Sequence, residues 1–313
     1  MDIGVARPEE LPDIVSLWNE TFGASYPLRL EVLRQLYRSR YQDPELLLIA
    51  RDGGRPIGVI AGKVPQVSWL PPDAGFVSYI VVAQAYRGQG IGRALYERLA
   101  ERLVARGRRY VCFGSDPAHL LPGIPQEAPL ETWSFLRRIG ARPLETMHDL
   151  LLDLRHPLPP RTARGRMRIT EPAEALAFLD RVFPGRWRAD MEDHLANGGT
   201  ILALDAEGRM AGFAGVYLPG QPWIGPSQFW SAALPGPAAG LGPLGLDPEV
   251  RGQGLGLELV IGAAGWLRDR GSQFAVIDWT NLTAFYGRAG AHVWRTYQRA
   301  VAELPAASLA EPA

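Results

Sequence analysis

This sequence has one cysteine, one lysine and no net charge. Cys112 is the only cysteine among 313 residues, which excludes an intrachain disulfide and a cysteine-rich metal site. Lys63 is the only lysine, so nearly all the positive charge is carried by arginine. The 33 basic residues balance 33 acidic ones. That balance argues against broad binding to nucleic-acid phosphates, which requires a basic excess or a strong basic stripe.

Long apolar runs are also missing. No run of about 18 uncharged apolar residues occurs, so we expect no membrane-spanning helix. The N-terminal stretch MDIGVARPEELPDIV carries acidic residues and lacks the apolar segment of a secretory signal. The default expectation is therefore a soluble cytoplasmic protein. At roughly 100–200 residues per domain, the length of the chain favours two domains.

A glycine-rich hexapeptide is present twice. RGQGIG at residues 87–92 returns as RGQGLG at residues 251–256, which is 164 residues later. Each copy follows an apolar run of strand length and precedes apolar residues at helical spacing. The register is kept as far as Tyr110, whose counterpart is Phe274. The order strand, glycine turn, helix, strand therefore predicts a duplicated unit.

The register of the repeat then breaks. Phe135 lies 43 residues after Gly92, whereas Phe285 lies 29 residues after Gly256, so the first copy has 14 extra residues. They fall in the proline-rich stretch SDPAHLLPGIPQEAPLE, which predicts an inserted loop. The predicted organisation is an N-terminal domain over 1–155, a linker over 156–165, a C-terminal domain over 166–304 and a frayed tail over 305–313.

Both halves fit one plan of secondary structure. The patterns predict a strand, two helices, three strands, a helix, a strand, a helix and further strands in each half. In the first half the two early helices are expected over 8–23 and 29–40. We therefore expect an α/β (α+β) fold, in which each domain has a mixed central sheet flanked by helices.

The glycine turn has a definite chemical use. A strand that ends in such a turn and continues into a helix presents free backbone N–H groups and the positive end of the helix dipole, which suits a phosphate. Arg87 and Arg251 stand at the mouths of the two turns and are able to add charge-assisted hydrogen bonds. The dinucleotide pattern G-x-G-x-x-G is absent, and no Gly-Lys-Ser/Thr follows the turn, so a P-loop is excluded as well.

The motif present is R-x-x-G-x-G, which resembles the acetyl-CoA signature of the GCN5-related N-acetyltransferases (GNAT), Q/R-x-x-G-x-G/A. The resemblance extends to the preceding strand, the following helix and the downstream segment FYGRAGA. It covers most of both halves and implies a tandem repeat of two acyl-CoA N-acyltransferase domains with acetyl-CoA as the cofactor.

The resemblance also implies which residues hold the cofactor. Backbone amides of the loop would bind the pyrophosphate, the strand before it would pair with pantetheine, and an asparagine further on would hydrogen-bond the cofactor. In the second half these positions are Leu244, Leu246, Arg251, Gly252, Gln253, Gly254, Leu255, Gly256 and Asn281. In the first half they are Val81, Val82, Arg87, Gly88, Gln89, Gly90, Ile91 and Gly92.

The two copies differ at the position of the family's general acid. The resemblance implies that Tyr286 protonates the departing thiolate in the second half. Leu136 stands at the matching position of the first half, and Glu131 stands where the second half has Asn281. Because leucine cannot donate a proton, we expect the second half to be the catalyst. The first half would bind acetyl-CoA without turnover, use another acid, or serve as a scaffold.

A general base is also expected, since an amine must be neutral to attack a thioester and an alkyl ammonium has a pKa near ~10.4. Asp278, at the end of the strand FAVID, is the first candidate. Asp247 and Glu249 are the alternatives. Each of the three also has an ordinary interpretation as a strand-end carboxylate or a helix cap. A backbone N–H of the strand before the loop would stabilise the oxyanion.

The acceptor is expected to be a small primary amine, with no nucleic-acid or membrane partner. Tandem members of the resembled family include enzymes that acetylate amino-sugar conjugates, and PGIP together with IDWTNLTAFYG is similar to those acting on glucosamine-containing fragments. An amino sugar is therefore the first candidate. Two rival functions are a module that only binds acyl-CoA and an aminoacyl-tRNA-dependent transferase. The neutral charge and the two intact loops argue against the second rival.

Three residues are weaker candidates for contact with the acceptor. Asp116 and His119 lie in the inserted loop, which is either a cover over a substrate site or a packing loop in which Asp116 forms a turn. Trp279 stands beside Asp278 and is either a stacking platform for a sugar or a core residue.

Overall fold

The computed structural model describes residues 1–162 and 164–305. Residues 306–313, which fall in the predicted tail, and Ala163, which falls in the predicted linker, lie outside the described residues. The chain forms two compact units. Unit 1 comprises residues 1–146 and 297–313, and unit 2 comprises residues 147–296.

Unit 1 is built from the following elements in chain order: β1 (Asp2–Val5), α1 (Leu11–Phe22), α2 (Leu30–Tyr37), β2 (Leu47–Asp52), β3 (Arg55–Lys63), β4 (Ala74–Val82), α3 (Ile91–Ala105), β5 (Tyr110–Phe113), β6 (Ile124–Pro125), α4 (Leu130–Arg138) and the start of β7 (Arg142–Asp153). The two early helices confirm the prediction for residues 8–23 and 29–40, although each is shorter at its ends. Loss of helix at the ends is expected, because terminal turns lack partners for their backbone groups.

Unit 2 repeats this plan: the rest of β7, β8 (Arg166–Ile169), α5 (Pro172–Val182), α6 (Arg186–Ala196), β9 (Thr200–Ala206), β10 (Arg209–Tyr217), β11 (Ala238–Leu246), α7 (Leu255–Arg268), β12 (Phe274–Thr280), α8 (Thr283–Gly287) and the start of β13 (His292–Glu303). The predicted mixed α/β architecture with a central sheet and flanking helices is confirmed in both units.

Each unit has a mixed sheet with one parallel pair at its centre. The order is β1-β2-β3-β4-β5-β13 in unit 1 and β8-β9-β10-β11-β12-β7 in unit 2. β4 with β5, and β11 with β12, are parallel, while the other neighbours in these two series are antiparallel. The helix after the glycine loop, α3 or α7, crosses from one strand of the parallel pair to the other.

Helical periodicity explains the packing of these two crossover helices. Leu95, Leu99 and Leu103 of α3 are fully buried in the core of unit 1. Their counterparts on α7, which are Leu259, Ala263 and Leu267, are fully buried in the core of unit 2. Residues spaced by four lie on one helical face, so each stripe faces the sheet and removes its apolar surface from water.

The last strand of each sheet comes from the other half of the sequence. β7 follows α4 of the first copy, yet its residues from Met147 onward pair with β12. β13 follows α8 of the second copy, yet from Tyr297 onward it pairs with β5 and β6. The two copies have therefore exchanged their final strands. The limits 1–155 and 166–304 follow the duplication in the sequence, and they stay a prediction about the repeated units.

The segment between the copies lies along α7. Glu258, a buried residue of α7, accepts hydrogen bonds from Arg161 Nε at 2.7 Å and from the backbone N–H of Thr162 at 2.7 Å. Leu158 and Met167 lie beside glycines of the same helix. Leu158, Arg161 and Thr162 of the predicted linker are thus held against α7 by polar and apolar contacts.

The only lysine forms a buried ion pair in unit 1. Lys63 Nζ lies 2.5 Å from Asp116 Oδ2, and both side chains are almost completely buried. Lys63 also donates to the backbone carbonyls of Pro117 and Ala118. Ser78 Oγ donates to the same Asp116 oxygen at 2.8 Å. The inserted loop is therefore fastened to the sheet by one ammonium group.

Removing one partner of this pair is expected to destabilise the fold strongly. Lys63→Met leaves the buried Asp116 carboxylate without its ammonium partner, and loss of one member of a buried pair costs about 3–5 kcal/mol. Lys63→Met/Asp116→Val removes both charges and should cost less than the single change. The free energy of unfolding in urea checks both. Arg55→Met, which breaks an exposed pair with Glu20, is the control and should cost less than about 1 kcal/mol. A loss that small for Lys63→Met would contradict the structural role.

Candidate active site

The two parallel strands of unit 2 separate and leave a cleft. β11 pairs with β12 only from Ala238 to Gly240, although β11 continues to Leu246. On its other side β11 stays paired with β10 as far as Leu246. Backbone groups of β11 beyond Gly240 therefore have no partner strand on the side of β12. The predicted pantetheine positions Leu244 and Leu246 lie on this separated part.

The glycine loop follows directly and turns the chain into α7. Gly252 and Gly254 have φ of 79° and 82°, a left-handed conformation that favours glycine. A Cβ atom at either position would meet no neighbour within 4 Å, so the loop has an open face. Gly254 is the N-cap of α7, whose first N–H groups are free to bind an anion.

The loop of unit 1 has the same conformation. Gly88 and Gly90 have φ of 75° and 82°, and Gly90 is the N-cap of α3. Arg87 Nε donates to the carbonyl of Val82 at 3.2 Å, and Arg251 donates to the carbonyl of Leu246 at 3.3 Å. The arginine thus tethers the loop to the end of the preceding strand in both copies. This geometry leaves the loop amides available for a phosphate in each unit.

The remaining predicted loop residues complete this picture. Leu255 and Ile91, the first residues of α7 and α3, are buried and anchor the helices. Gly256 lies close to Phe285, since a Cβ atom there would be 3.2 Å from that ring. Gln253 accepts a hydrogen bond at its carbonyl from Arg164, while Gln89 bonds to the carbonyl of Ala85. Gly92 and Val82 are near neighbours in unit 1, where Val81 is buried in the sheet.

Asp278 lies at the end of β12, where the two strands have separated. The residue keeps partial exposure, while protein surrounds its carboxylate. Burial and the negative charge of Asp149, opposed by the positive charge of Arg186, together raise the pKa of Asp278 to about 7. A carboxylate with a pKa near neutrality is able to accept and release a proton at physiological pH.

Tyr286 is buried on α8 and is electrostatically coupled to Asp278. Burial raises the pKa of the Tyr286 phenol above its usual value, and the charge of Asp278 adds to the effect. Its ring packs edge-on against Phe285, with centroids 4.9 Å apart. The structure thus brings the predicted acid and the predicted base into one region, with the phenol kept neutral. Asn281 lies between them in sequence and is exposed.

The alternative bases have other partners. Asp247 accepts a hydrogen bond from Arg181 at 2.7 Å and caps the backbone N–H of Glu249. The Arg181 guanidinium holds the pKa of Asp247 below its usual value. Glu249 pairs with Arg209 at 2.6 Å. Both carboxylates therefore stabilise the turn before the loop, and their geometry favours the capping interpretation.

Trp279 has an unusual backbone beside Asp278. Its φ is 48°, which is strained for a residue with a large side chain. The Arg186 guanidinium lies over its ring, 3.9 Å from the centroid, and Arg186 pairs with Asp190 at 3.3 Å. The indole is therefore covered on one face by a cation. Whether a sugar uses its other face stays a prediction.

Unit 1 also holds a cleft beside its glycine loop. This cleft has a volume of about 800 Å³ and is lined by the end of β4, by loop residues Arg87, Gly88 and Gly90, and by Phe135 of α4. The volume is in the range of small-molecule and cofactor sites. As in unit 2, the parallel pair separates early, because β4 pairs with β5 only from Ala74 to Val77.

The acceptor side of unit 1 is filled by the inserted loop. In the repeat register Gly114 matches Asp278, and Leu136, a buried core residue, matches Tyr286. A Cβ atom at Gly114 would lie 2.6 Å from the backbone of Gly123 in the insertion, so no carboxylate fits there. Asp116 and His119 are themselves buried. Their burial favours a packing loop over a cover, although contact with an acceptor stays a prediction.

Sequence reasoning missed three features of the site. Asp149 comes from the exchanged strand, so nothing in the second copy of the repeat points to it. Arg186 lies on α6, far from the motif. The match of Gly114 to Asp278 was detectable, because the spacing of 164 residues holds through that position.

Comparison with known proteins decides the family. The model of the acetyltransferase (GNAT) family matches residues 11–118 and 170–291, which together are more than half of the chain. The chain belongs to the GNAT acetyltransferase family. It is accordingly an N-acetyltransferase that uses acetyl-CoA, and the predicted family, tandem arrangement and cofactor are confirmed.

Two GNAT relatives show how far the similarity extends. The mycothiol acetyltransferase of Salinispora arenicola (strain CNS-205) is 29% identical over 270 residues, which cover 77% of this chain and 78% of that protein. Acetyltransferase SG1711 of Sodalis glossinidius (strain morsitans) is 31% identical over 114 residues, which cover 34% of this chain and 70% of that protein. The first similarity therefore spans both copies of the repeat.

Solved GNAT structures share the tandem fold. A glucosamine N-acetyltransferase region of a fungal multi-domain β-N-acetylglucosaminidase superposes with a TM-score of 0.85 at 24% identity, covering 96% of this chain and 38% of that chain. A tandem GNAT protein from the clavulanic acid biosynthesis pathway superposes with a TM-score of 0.70 at 18% identity, covering 97% and 98%. At such identities the likeness concerns the fold.

Two features are absent from the described residues. Over 1–162 and 164–305, no helix combines the length and the apolar character needed to cross a membrane. Within the same ranges, no group of three or more histidine, cysteine or acidic residues is arranged to hold a metal ion.

The two glycine loops make a testable prediction about acetyl-CoA binding. Gly90→Glu and Gly254→Glu each place a carboxylate at a left-handed position and at a helix N-terminus, where it would repel a phosphate. By isothermal titration calorimetry the wild-type chain should bind one acetyl-CoA in each half, and each variant should lose one of them.

Matched controls separate this effect from backbone strain. Gly54→Glu and Gly208→Glu make the same change at hairpin glycines with φ of 82° and 77°, outside the loops, and should keep both binding events. A wild-type chain that binds a single acetyl-CoA, lost only with Gly254→Glu, would show that the loop of unit 1 is no cofactor site.

Proposed function

We propose that unit 2 transfers the acetyl group of acetyl-CoA to the primary amine of a small molecule, with an amino sugar as the acceptor. Asp278 accepts the proton of the amine, and Tyr286 donates a proton to the leaving thiolate. The observation that carries the proposal is a carboxylate of near-neutral pKa beside a neutral buried phenol, at the point where β11 and β12 separate.

The pKa of the base favours an acidic amine. Moving a proton from an alkyl ammonium of pKa ~10.4 to a base of pKa about 7 is uphill by about 3 units, or roughly 4–5 kcal/mol. An amino-sugar amine is more acidic, so the transfer to Asp278 is less costly. A fully solvated aspartate, with a pKa near ~3.9, would be a far weaker base. The fungal relative named for glucosamine supports this class of acceptor.

The later steps follow from the same geometry. The neutral amine attacks the thioester carbonyl and forms a tetrahedral oxyanion, which a backbone N–H of β11 beyond Gly240 would stabilise. The C–S bond then breaks as the carbonyl re-forms, and the nitrogen releases the second proton that it carries after the attack, which replaces the proton that Tyr286 gives up. Tyr286 protonates the thiolate, a modest task because a thiol has a pKa near ~8.5. The products are the amide and coenzyme A.

For unit 1 we infer that the cleft binds acetyl-CoA without turnover. The support is that its cleft beside the glycine loop is open, while Gly114 and Leu136 replace the two reactive side chains. The Lys63–Asp116 pair also fixes the insertion where an acceptor would have to enter. The alternative function of binding acyl-CoA without catalysis therefore applies to unit 1 and not to the whole chain.

An acceptor screen tests the class of substrate. The release of coenzyme A is followed with a thiol reagent for glucosamine, glucosaminides, polyamines and amino acids at the same concentration. We expect glucosamine or glucosaminides to give the highest kcat/KM. Turnover of polyamines with none of glucosamine or glucosaminides would reject the amino-sugar proposal.

The assignment of base and acid predicts two distinct kinetic signatures. The wild-type kcat/KM should rise with pH and level off above about 7, since Asp278 must be deprotonated to act. Asp278→Asn should remove this ionisation and lower kcat by roughly 10²-fold or more. Tyr286→Phe should lower kcat by a similar factor and leave the KM for acetyl-CoA near its wild-type value.

The control variants make the same Asp→Asn and Tyr→Phe changes at positions outside the proposed active site. Asp269→Asn, on the exposed end of α7, and Tyr110→Phe, in unit 1, should keep the wild-type rate. A wild-type pH profile in Asp278→Asn, or a wild-type kcat in Tyr286→Phe, would show that the residue concerned has no part in proton transfer.

A further inference from the structure

The register between β12 and β7 is broken beside the proposed base. Ile277 pairs with Leu150 and Thr280 pairs with His148. Two residues of β12, which are Asp278 and Trp279, therefore face the single residue Asp149. This arrangement is a β-bulge, and a bulge changes the direction in which a strand presents its side chains.

The Asp149 carboxylate holds this bulge. Its Oδ1 accepts a hydrogen bond from the backbone N–H of Trp279 at 3.2 Å, and the residue is almost completely buried. Trp279 is the residue with φ of 48°. The bulge removes the Trp279 N–H from the ladder of backbone hydrogen bonds between the two strands. The Asp149 carboxylate accepts its hydrogen bond instead. Without the Asp149 carboxylate, the strained backbone of Trp279 would lose this hydrogen bond.

We propose that Asp149 is a positioning residue for the reaction: it fixes the β-bulge that places Asp278 at the point where β11 and β12 separate. The inference rests on the proposed role of Asp278 as the base. Asp149 lies in the first half of the sequence and reaches unit 2 on the exchanged strand β7. The active site of the second copy would thus be completed by a residue of the first.

The charges around Asp278 define what Asp149 contributes. The titratable and charged groups that face Asp278 come from β7, α6, β10 and α8, and they are Asp149, Arg186, Asp190, Tyr217 and Tyr286. Asp193 of α6 acts on Tyr217. Arg186 is shared with Asp190, to which it is paired. Of these groups, Asp149 is the one that lies opposite the bulge on the neighbouring strand. Its negative charge opposes the ionisation of Asp278.

Unit 1 provides an internal comparison. Its sheet has the same positive φ at Ser115, which matches Trp279 in the repeat register, with φ of 62°. The strand position that matches Asp149 is Arg299, because Ala300 pairs with Phe113 as Leu150 pairs with Ile277. Gly114 stands where the base would be. The copy without a base therefore also lacks a carboxylate at the strand position that matches Asp149.

Two substitutions at one position separate charge from geometry. Asp149→Asn keeps an oxygen acceptor for the Trp279 N–H and removes the negative charge. The pKa of Asp278 should then fall by about one unit, so activity at pH 6 rises from about one tenth to about half of its plateau. Asp149→Ala removes the acceptor as well, and its plateau kcat should fall at least 10-fold with the KM for acetyl-CoA unchanged. The plateau kcat of Asp149→Asn should stay within about threefold of wild type.

The titration of Asp278 is also measured without any acceptor. Carboxyl ¹³C NMR on the full chain with labelled aspartate follows each side chain against pH, and Asp278→Asn identifies the resonance. Asp153→Asn is the control on the same strand, since Asp153 pairs with Arg155 and should leave the Asp278 titration unchanged.

The outcomes separate this inference from the proposed function. An unchanged Asp278 titration in Asp149→Asn, or equal plateau rates for Asp149→Asn and Asp149→Ala, overturns the positioning role. If Asp278→Asn itself keeps the wild-type rate, the base assignment fails and the positioning role falls with it. Two results together support both the positioning role and the base assignment. The pKa of Asp278 falls in Asp149→Asn, and the plateau rate is retained in Asp149→Asn but not in Asp149→Ala.

Discussion

The early separation of two parallel strands is the constraint on which both units depend. In a regular parallel sheet every backbone group of β11 would be bonded on both sides. Here the pairing with β12 ends at Gly240, and the next residues include Gly242 and Pro243. Proline has no N–H to give to a neighbouring strand, which favours the separation at this point. The cleft, its free backbone groups and the position of Asp278 all follow from this gap.

The two copies differ in what occupies the gap. Unit 1 fills it with the inserted loop, whose Asp116 carboxylate is neutralised by Lys63 and accepts a hydrogen bond from Ser78. Unit 2 leaves it to Asp278, whose charge is only partly compensated by Arg186 because Asp149 and Asp190 lie nearby. In a buried ion pair each charge is compensated by the other, while an under-compensated carboxylate has a raised pKa and is costly to bury. Unit 2, which we propose as the catalytic unit, therefore contains the carboxylate whose burial is less well compensated.

Much of this was predictable from the sequence, for identifiable reasons. The glycine loop, the amphipathic helix and the tyrosine are local patterns, so the fold of each copy and the family followed from them. The exchange of β7 and β13 was not predictable, because an alternating strand pattern does not identify its partner. Asp149 was missed for that reason, and Arg186 was missed because it belongs to no motif. Asp116 carried a correct sequence signal for a turn, yet its pairing with Lys63 joins residues far apart in the chain.

The strand exchange gives the first copy a structural role that does not depend on its own cofactor cleft. The sheet of unit 2 is complete only when β7 has paired with β12, and β7 belongs to the first copy in sequence. A segment limited to residues 166–304 lacks that strand, the core residues Leu150 and Leu152, and the carboxylate opposite the bulge. Loss of two buried leucines alone removes roughly 4–10 kcal/mol of stabilisation. The sheet and core of unit 2 therefore depend on a strand from the first copy, whatever the cofactor cleft of unit 1 binds.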